Sequence, residues 1–423
     1  MKVNLRGGKA MAMTKQPTSI SCLFALIILL SPAVFGALGK LGAMGDSLTD
    51  EYWDSGVSTY ASNWVSILVQ FRGINMGPTA AQAGTNSWGS PRNQGYEYNW
   101  ALSGATSADL LAEGQQTGLV AQASSAGVSN AVLDIGTDDF NPAETAAYEA
   151  IYLGDWTQAE IQSYVDQTVS NIEAALVPVK AAGISLVLGN ILDPGISPTV
   201  DEVFSDPADR QLVTAAVQSA NAGIKNLAQK YQVPLMDWYG LESAVFGSNA
   251  SLHSSVLIGN AAINLRGSDP GPPSWTPTDA FVSDGFHPNT VVQALFANLI
   301  LQAFNSSQND NVPLLSEQEI LTQAAITYGG SNTLRSEIGP YSNYIVLPIL
   351  PKFTGIAWAD TNILLNFSTV SNQFYIVEDR DDLSSGSWIP LTNNIAGTGG
   401  AVLVSDSPPA NLPARFYRVR QLP

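Results

Sequence analysis

Short apolar runs alternate with longer amphipathic stretches up to about residue 330. Short runs rich in Ala, Val, Ile and Leu predict buried strands, whereas apolar residues that recur every three or four positions predict helices. The predicted strands lie at 40–43, 98–102, 131–135, 185–188 and 234–236. Because strands that alternate with helices usually form a parallel sheet covered on both faces, the pattern predicts an α/β domain.

The amphipathic stretches between these runs predict long helices. One begins at Thr157, where Thr157 and Glu160 have the spacing of a capping box and the apolar positions that follow line one face. A second helix is predicted from Pro207 and a third at about 289–304. A further capping box at 316–319 predicts one short helix more.

From residue 344 onward the hydrophobic period changes to two. Alternating runs at 363–367, 374–378, 401–405 and 415–420 are separated by clusters of Asn, Asp, Ser, Gly and Pro. This pattern is typical of a small all-β, sandwich-like module. Four segments are therefore predicted: a leader at 1–36, the α/β domain at 37–330, a linker at 331–344 and the β-module at 345–423.

The first 36 residues have the features of a secretory signal peptide. Basic residues without any acid precede an apolar run at 22–30, and small residues lead to Gly36. We therefore predict cleavage near Gly36 or Ala37 and a secreted, periplasmic or cell-surface protein. The alternative is an uncleaved anchor, because 19–37 just reaches the shortest spanning length, although a Ser-Pro pair interrupts it.

Composition narrows the classes of function. The chain has 36 Asp and Glu residues against 18 Lys and Arg residues, and its formal net charge of −18 disfavours nucleic acid as a partner. The single cysteine, Cys22, lies in the predicted leader, which excludes a disulfide or a cysteine nucleophile from the mature chain. The acids Asp46, Asp50, Glu51 and Asp54 lack a histidine and a regular ligand spacing, so we interpret them as a solvated turn and predict no metal site.

Two short motifs far apart in the chain supply a serine, a base and a carboxylate. Ser47 lies in Gly-Asp-Ser-Leu at the end of the first apolar run, where the chain should turn from strand to helix. Asp284 and His287 are three residues apart before the last long helix. On one turn, the carboxylate can accept from one imidazole nitrogen and leave the other to take the serine proton. These residues predict a serine hydrolase.

Other candidates have simpler interpretations. His253 has no neighbouring acid and is expected to be an exposed or core histidine. Asp46 is expected to cap a helix start rather than take part in chemistry. Four aromatic residues in the Gly-, Ser- and Pro-rich segment 238–280 either line a substrate cleft or, taken one by one, belong to the core. They are Trp238, Tyr239, Phe246 and Trp275.

Four sequence blocks together resemble the GDSL or SGNH hydrolases. The blocks lie at 45–48, 98–107, 136–139 and 284–287, in the order typical of that family, and the resemblance extends over about 39–304. It implies a flavodoxin-like, three-layer α/β/α hydrolase domain with a parallel sheet, followed here by the small β-module. It also implies a carboxylic ester hydrolase that needs no cofactor.

The resemblance assigns roles to individual residues. Ser47 is the implied nucleophile, His287 the general base and Asp284 the carboxylate that orients the base. The implied oxyanion hole contains the backbone N–H groups of Ser47 and Gly104, and a glycine allows the loop to approach the reacting carbonyl.

The third block departs from the family pattern. The family has an asparagine two residues after the glycine, whose amide donates to the oxyanion, but here the residue is Asp138. An ionised carboxylate only accepts hydrogen bonds. Three explanations are open: burial and Asp139 keep Asp138 protonated, Asn141 supplies the amide after a loop shift, or catalysis is impaired. We adopt the first as the prediction, which keeps Asp138 in the oxyanion hole.

The substrate is predicted only as a class. We expect a small-molecule or carbohydrate ester, with a short acyl chain or a sugar O-acetyl group. The runs at 374–378 and 415–420 resemble small β-modules at the ends of secreted proteins from planctomycete- and verrucomicrobial-type bacteria, which suggests attachment to polysaccharide or to the cell surface. A catalytically impaired binding protein that keeps the SGNH fold is the alternative function.

Overall fold

The computed structural model describes residues 38–422 except 53–55, 309, 410, 411 and 413. The described residues all fall in one compact unit. The predicted leader at 1–36 lies outside the described residues, so its role as a signal peptide stays a prediction. Among the helices of the described part, none combines the length and the apolar character needed to cross a bilayer.

A five-stranded sheet forms the centre of the larger part of the chain. Its strands follow the order β1-β2-β3-β4-β10, with the first four parallel and β10 antiparallel to β4. Up to residue 346 the strands are β1 (Leu41–Gly45), β2 (Asn130–Asp134), β3 (Ser185–Gly189), β4 (Leu235–Met236), β5 (Gly247–Ser248), β6 (Ser251–Leu252), β7 (Ser255–Ile258), β8 (Ala261–Ser268), β9 (Asp279–Phe281) and β10 (Ile345–Val346).

Helices connect the four parallel strands, and further helices follow the last of them. They are α1 (Trp64–Arg72), α2 (Ser107–Glu113), α3 (Gln115–Ser125), α4 (Ala147–Tyr152), α5 (Gln158–Ala181), α6 (Pro198–Val203), α7 (Pro207–Tyr231), α8 (Trp238–Phe246), α9 (Thr290–Gln308), α10 (Glu317–Gln323) and α11 (Leu334–Ile338). The capping box predicted at Thr157 begins α5, and the one at 316–319 begins α10.

Alternate residues of the central strands point into two separate cores. Ala43 of β1 and Val132 of β2 belong to one core, which also contains apolar residues of α1, α8 and α9. Met44 and Leu133, one position further along each strand, belong to the other core, together with residues of α5 and α7. This alternation gives a sheet between two helical layers, as the sequence predicts, because successive side chains of a strand face opposite sides.

Two predictions of local structure differ from the fold. The run 98–102 lies beside β1, but it forms a single bridge, Ala43 with Asn99, rather than a strand. The segment after β4 contains two small sheets, β5-β6 and β7-β8-β9, which the sequence analysis did not predict. Four of these five strands have at most four residues, so their periodicity is weak, whereas β8 has eight residues.

The chain between 331 and 346 belongs to the larger core. Leu334, Ile338 and Tyr344 are buried there, and Ile345 and Val346 form the edge strand β10. The architecture therefore changes after Val346, and not across the linker predicted at 331–344. The Gly- and Ser-rich composition of 329–331 marks a turn, but the contacts that hold the following residues involve α8, α9 and β4, far away in sequence.

The C-terminal module contains two antiparallel three-stranded sheets. Their strands are β11 (Phe353–Ala359), β12 (Asn362–Ser368), β13 (Phe374–Arg380), β14 (Ile389–Ala396), β15 (Ala401–Asp406) and β16 (Phe416–Leu422). One sheet has the order β11-β12-β15 and the other β14-β13-β16. Every second residue of β12 is buried in a small core that also contains Tyr375 and Val377. The all-β module predicted from the period of two is therefore present.

Candidate active site

Ser47, His287 and Asp284 meet at the carboxyl end of the parallel strands. Ser47 lies in the turn that directly follows β1, and the other two lie between β9 and α9. The Ser47 Oγ atom is 2.7 Å from His287 Nε2, and His287 Nδ1 is 2.6 Å from Asp284 Oδ2. The three residues thus form one hydrogen-bonded chain across 240 positions of sequence. The described residues 48–52, directly after Ser47, form turns rather than the expected helix, and α1 begins at Trp64.

A tight turn holds the acid and the base in this arrangement. Asp284 Oδ1 accepts from the backbone N–H groups of Phe286 and His287, at 2.8 and 3.0 Å. Gly285 has φ of 69°, and a Cβ there would lie 2.5 Å from the Thr199 hydroxyl. The turn therefore requires glycine, for its backbone conformation and for the close approach of Thr199.

The carboxylate and the imidazole stabilise each other's charged form. Burial opposes ionisation of Asp284, but the hydrogen bond and the charge of His287 lower its pKa below the usual value. Burial lowers the pKa of His287, but Asp284 outweighs it through the same hydrogen bond and charge, so that the pKa is raised above 6.5. The imidazolium that forms when Ser47 gives up its proton is thus stabilised.

Aromatic rings and backbone bonds restrict the histidine ring. Tyr52 and Phe286 meet it edge-on, with ring centroids at 5.8 and 5.4 Å. The Tyr52 hydroxyl donates to the carbonyl of Pro288 at 2.6 Å, and His287 O accepts from Val282 N at 2.9 Å. The two aromatic rings restrict the imidazole, and the hydrogen bonds fix the backbone of His287 and Pro288, so the imidazole stays aligned with Ser47.

The backbone N–H groups of Ser47 and Gly104 both lack an acceptor within the described residues. Gly104 has φ of 76°, and a Cβ at this position would lie 3.2 Å from the Glu144 carboxylate. Because unpaired N–H groups are the usual donors to an oxyanion, both groups are available for that purpose.

A cleft of about 450 Å³ adjoins the histidine. Its walls contain Asp284, Phe286 and His287 on one side. The remaining lining residues come from two other segments: Asn141, Pro142, Ala143, Glu144, Thr199, Val200, Val203 and Phe204. The wall formed by α6 is thus mainly apolar, and the wall formed by the segment after β2 contains the amide of Asn141 and the carboxylate of Glu144. Its volume falls in the range of ordinary small-molecule sites.

Comparison with known families decides the assignment. The family model described as GDSL-like Lipase/Acylhydrolase matches residues 41–300, more than half of the chain. The chain belongs to the GDSL-like lipase/acylhydrolase family. Its enzyme class is therefore carboxylic ester hydrolase, as the four sequence blocks imply. No curated protein matches the chain.

Solved structures of GDSL-type enzymes were also found. A GDSL-like lipase from Bacteroides thetaiotaomicron is 19% identical, with 63% of this chain and 88% of that chain covered and a TM-score of 0.33. A psychrotrophic esterase from Pseudoalteromonas is 14% identical, with 64% and 100% covered and a TM-score of 0.34. An acetyl xylan esterase from Geobacillus stearothermophilus is 15% identical, with 66% and 98% covered and a TM-score of 0.35.

Asp138, which the sequence resemblance assigns to the oxyanion hole, begins a short helical turn after β2. Its side chain is buried, Oδ1 accepts from the Asn141 amide at 2.8 Å, and Oδ2 has no hydrogen-bond partner among the described residues. Burial raises the pKa of Asp138 to about 6, against the opposing effects of Asn141 and His287. Burial therefore favours the neutral form of Asp138, while the Asn141 hydrogen bond and His287 favour the carboxylate.

Further acids are buried behind Ser47. Burial raises the pKa of Asp134 to about 7 and that of Asp46 well above its usual value, with the charge of Asp138 adding to both shifts. Burial also raises the pKa of Glu51 to about 8. Asp46 accepts from Leu48 N at 3.0 Å within a turn, and no helix begins in the described residues 47–52, so Asp46 does not cap a helix start there as predicted. The solvated acidic turn predicted for Asp46, Asp50 and Glu51 is wrong, because all three are buried. Asp54, the fourth acid of that turn, lies outside the described residues.

The other predicted candidates lie elsewhere. His253 Nδ1 is 2.9 Å from the carbonyl of Val245, away from the triad. Trp238 and Phe246 are core residues, Tyr239 packs against the core, and Trp275 is 45% exposed. Within the described residues, no group of three or more His, Cys, Asp or Glu side chains could hold a metal ion.

The cleft residues Thr199, Val203 and Phe204 were missed by sequence reasoning. Thr199 and Val203 belong to the short helix α6, and Phe204 is the residue that directly follows it, before the helix start at Pro207. The only local signal is an apolar pair, Val203-Phe204, between two helix starts. A contact with the Asp284 turn, which lies 85 residues further along, cannot be inferred from such a signal.

Proposed function

We propose that the chain is a secreted serine ester hydrolase that cleaves short-chain acyl esters or carbohydrate O-acetyl esters through an acyl-Ser47 intermediate. One observation carries the proposal: the continuous hydrogen-bonded chain from Ser47 Oγ through His287 to Asp284, with 2.7 and 2.6 Å between the heavy atoms. Secretion rests on the leader-like composition of residues 1–36.

The arrangement supports a two-step reaction. Ser47 Oγ attacks the ester carbonyl carbon while His287 Nε2 takes the hydroxyl proton, and the carbonyl oxygen becomes an oxyanion. The N–H groups of Ser47 and Gly104 donate to this oxygen. The tetrahedral intermediate then expels the alcohol, which receives the proton from His287. Water, deprotonated by His287, attacks the acyl-Ser47 ester; the bond to Ser47 Oγ then breaks, His287 returns the proton to this oxygen, and the acid is released.

The cleft supports a small substrate. A volume of about 450 Å³ accommodates a short acyl chain or one sugar unit, and Glu144 and Asn141 offer hydrogen-bonding groups on one wall. The formal net charge of −18 favours neutral or cationic esters over anionic ones. These features fit an acetylated sugar or a small neutral ester.

Ester turnover tests the proposal directly. Purified chain should hydrolyse p-nitrophenyl acetate faster than long-chain p-nitrophenyl esters, and should release acetate from acetylated polysaccharide. Ser47→Ala should lose this activity, whereas Ser170→Ala, at an exposed position of α5, should keep it. A phosphonate ester should add to Ser47 and to no other residue, as peptide mass spectrometry would show.

The alternative function is a catalytically impaired binding protein, which the buried carboxylate at Asp138 favours. Wild-type protein that binds an acetylated sugar but shows no turnover dependent on Ser47 would establish this alternative.

We propose further that the β-module attaches the enzyme to polysaccharide or to the cell surface. Trp358 of β11 is 69% exposed and Ile356 on the same strand is 60% exposed, which leaves an indole ring available to stack on a sugar. Retention of the protein on insoluble polysaccharide, weakened by Trp358→Ala, would support this role. Equal retention of both proteins would exclude Trp358 from it.

A further inference from the structure

We propose that the Asn141 side-chain amide donates the third hydrogen bond to the oxyanion, and that Asp138 is the positioning residue that orients this amide. The inference rests on the proposed ester hydrolysis and concerns the same site. It replaces the assignment of Asp138 itself as a donor.

Two hydrogen bonds determine the orientation of the Asn141 amide. Asn141 Oδ1 accepts from the backbone N–H of Ala143 at 3.0 Å, and Asn141 Nδ2 donates to Asp138 Oδ1 at 2.8 Å. A flipped amide would place its NH₂ group against an N–H donor and its oxygen against a carboxylate, so only one orientation satisfies both partners. The amide is therefore held rigidly at a buried position.

One hydrogen of this amide remains available. An amide nitrogen carries two hydrogens, and Asp138 is the acceptor for one of them. No other acceptor for Asn141 Nδ2 occurs among the described residues. Asn141 also lines the cleft that contains His287 and Asp284. A fixed donor with a free N–H at the wall of the reaction cleft is what an oxyanion site needs.

The same segment approaches the second part of the implied oxyanion hole. The backbone carbonyl of Asn141 accepts from Glu144 N at 3.1 Å, and the Glu144 carboxylate lies 3.2 Å from the place where Gly104 would carry a Cβ. The turn from Asn141 to Glu144 thus packs against Gly104, whose N–H is unpaired. The segment that carries the amide thus contacts the residue that carries this N–H group.

Asp138 has the properties of an acceptor. The acids that face it are Asp46 after β1, Asp134 at the end of β2, and Asp139 and Glu144 on its own segment, and His287 faces it from the α9 side. A protonated Asp138 would need a pH below its pKa of about 6, whereas a neutral His287 needs a pH above a pKa raised from 6.5. Protonation of Asp138 and deprotonation of His287 are thus favoured at opposite ends of the pH range. Asn141 donates at every pH.

The Asn141→Ala variant separates the two donors. If Asn141 is the donor, kcat for p-nitrophenyl acetate should fall by about 100- to 1,000-fold with little change in KM, and the acid limb of the pH profile should stay. If a protonated Asp138 is the donor, loss of the Asn141 hydrogen bond raises the Asp138 pKa, so activity should persist and extend to higher pH. Asn226→Ala, at an exposed position of α7, is the matched control.

Exchanging the two side chains tests the positioning role. Asn141→Asp keeps the shape of the side chain but removes the permanent donor, and should lose activity to a similar extent. The double variant Asp138→Asn/Asn141→Asp restores an amide held by a carboxylate, now with the amide at the position typical of the family. We expect it to recover at least about tenfold over Asn141→Asp. A residue that only stabilised the fold would not give this recovery.

Several results would overturn the inference. If Asn141→Ala and Asn141→Asp both keep kcat within threefold of wild type, the amide is not a donor. The amide is also excluded if the activity of wild type decreases above pH 6 and that of Asp138→Asn does not. An exchanged variant no better than Asn141→Asp excludes the positioning role. Wild type without turnover dependent on Ser47 overturns the proposed function and this inference together, whereas the other outcomes leave the proposed function standing. Melting temperatures establish that each variant is folded.

Discussion

Buried acids occur both at the active site and in the β-module, but their partners differ. In the module, Glu378 accepts from Arg418 Nε at 2.7 Å and from Arg420 Nε at 2.9 Å. The pKa of Glu378 is lowered to about 2, mainly by the hydrogen bond from Arg420. Behind Ser47, the pKa of Asp134 and of Glu51 is raised by burial, to about 7 and about 8. The module thus neutralises its acids with arginine, and the active site does not.

The difference shows what each part is built for. An arginine beside Ser47 would balance the acids, but it would also pair with Asp284 or Asp138 and lower the pKa of His287. With acids alone around it, His287 keeps a raised pKa and accepts the serine proton more readily. The module has no such constraint, so its acids are paired for stability. Unpaired buried acids therefore indicate the functional end of this molecule.

The largest expected effect concerns the histidine. His287→Ala should lower kcat/KM for a short-chain ester by several orders of magnitude, because the base is lost, while His253→Ala should change it by less than about threefold. Steady-state kinetics of both purified variants give the comparison. Equal losses of kcat/KM in the two variants would contradict the assignment of His287 as the base of the triad.

Truncation tests whether the two parts are separate. A chain ending at Leu350 keeps Leu334, Tyr344 and β10. It should fold and keep ester turnover within about threefold of the full chain. The reason is that its contacts with the removed module are mainly polar bonds of Gln421 to Gln229, Lys230 and Gln232. Solubility, melting temperature and ester turnover measure this.

A chain ending at Ser331 provides the control for that truncation. It lacks three buried apolar side chains of the larger core and the edge strand, and should be unfolded or insoluble, since each such side chain contributes roughly 1.5–3 kcal/mol. If the chain ending at Ser331 is folded and active, the boundary between the α/β domain and the β-module lies at the linker predicted from sequence, 331–344.

The pH profile should follow His287. Below the pKa of His287, kcat/KM should fall tenfold per pH unit, with the limb above pH 6.5 because Asp284 raises this pKa. In Asp284→Asn the limb should move to lower pH, because burial then dominates and lowers the pKa. Profiles of the residual activity of both proteins provide the measurement, and an unmoved limb would mean that another group titrates.

The smallest effects contrast the two kinds of acid. The folded-state pKa of Glu51 is raised, so its ionisation costs stability as pH rises from the unfolded value towards about 8. Glu51→Gln should therefore raise Tm at pH 8 by about 2–4 °C and leave it unchanged at pH 4.

Glu378 should show the opposite sign. Its folded-state pKa is lowered to about 2, so its ion pairs stabilise the protein above the unfolded pKa and are lost as pH falls towards 2. Glu378→Gln should lower Tm at pH 8 by a few degrees, and by less at pH 3. Calorimetric scans across this range would show the contrast, and parallel curves for Glu51→Gln and Glu378→Gln would contradict it.

Short-range patterns were sufficient for much of the fold and for the triad. The period of the apolar residues predicted β1–β4, α5, α7 and α9, because a strand or helix repeats its burial every two or about 3.6 residues. Ser47, Asp284 and His287 were predicted because each lies in a short motif whose turn brings the reacting atom to the strand end. The departure at Asp138 was also visible in the sequence, since a carboxylate cannot replace an amide as a donor.

Contacts between distant segments decided the rest. The position of β10 beside β4, the approach of Thr199 to the Asp284 turn and the packing of Glu144 against Gly104 all join residues that carry no signal of one another. The pKa of each acid depends on burial and on neighbouring charges, so it exists only once the chain is folded. For the same reason, the sequence left open three explanations for Asp138, whereas the folded chain shows its carboxylate accepting from the amide of Asn141, a residue that lines the cleft.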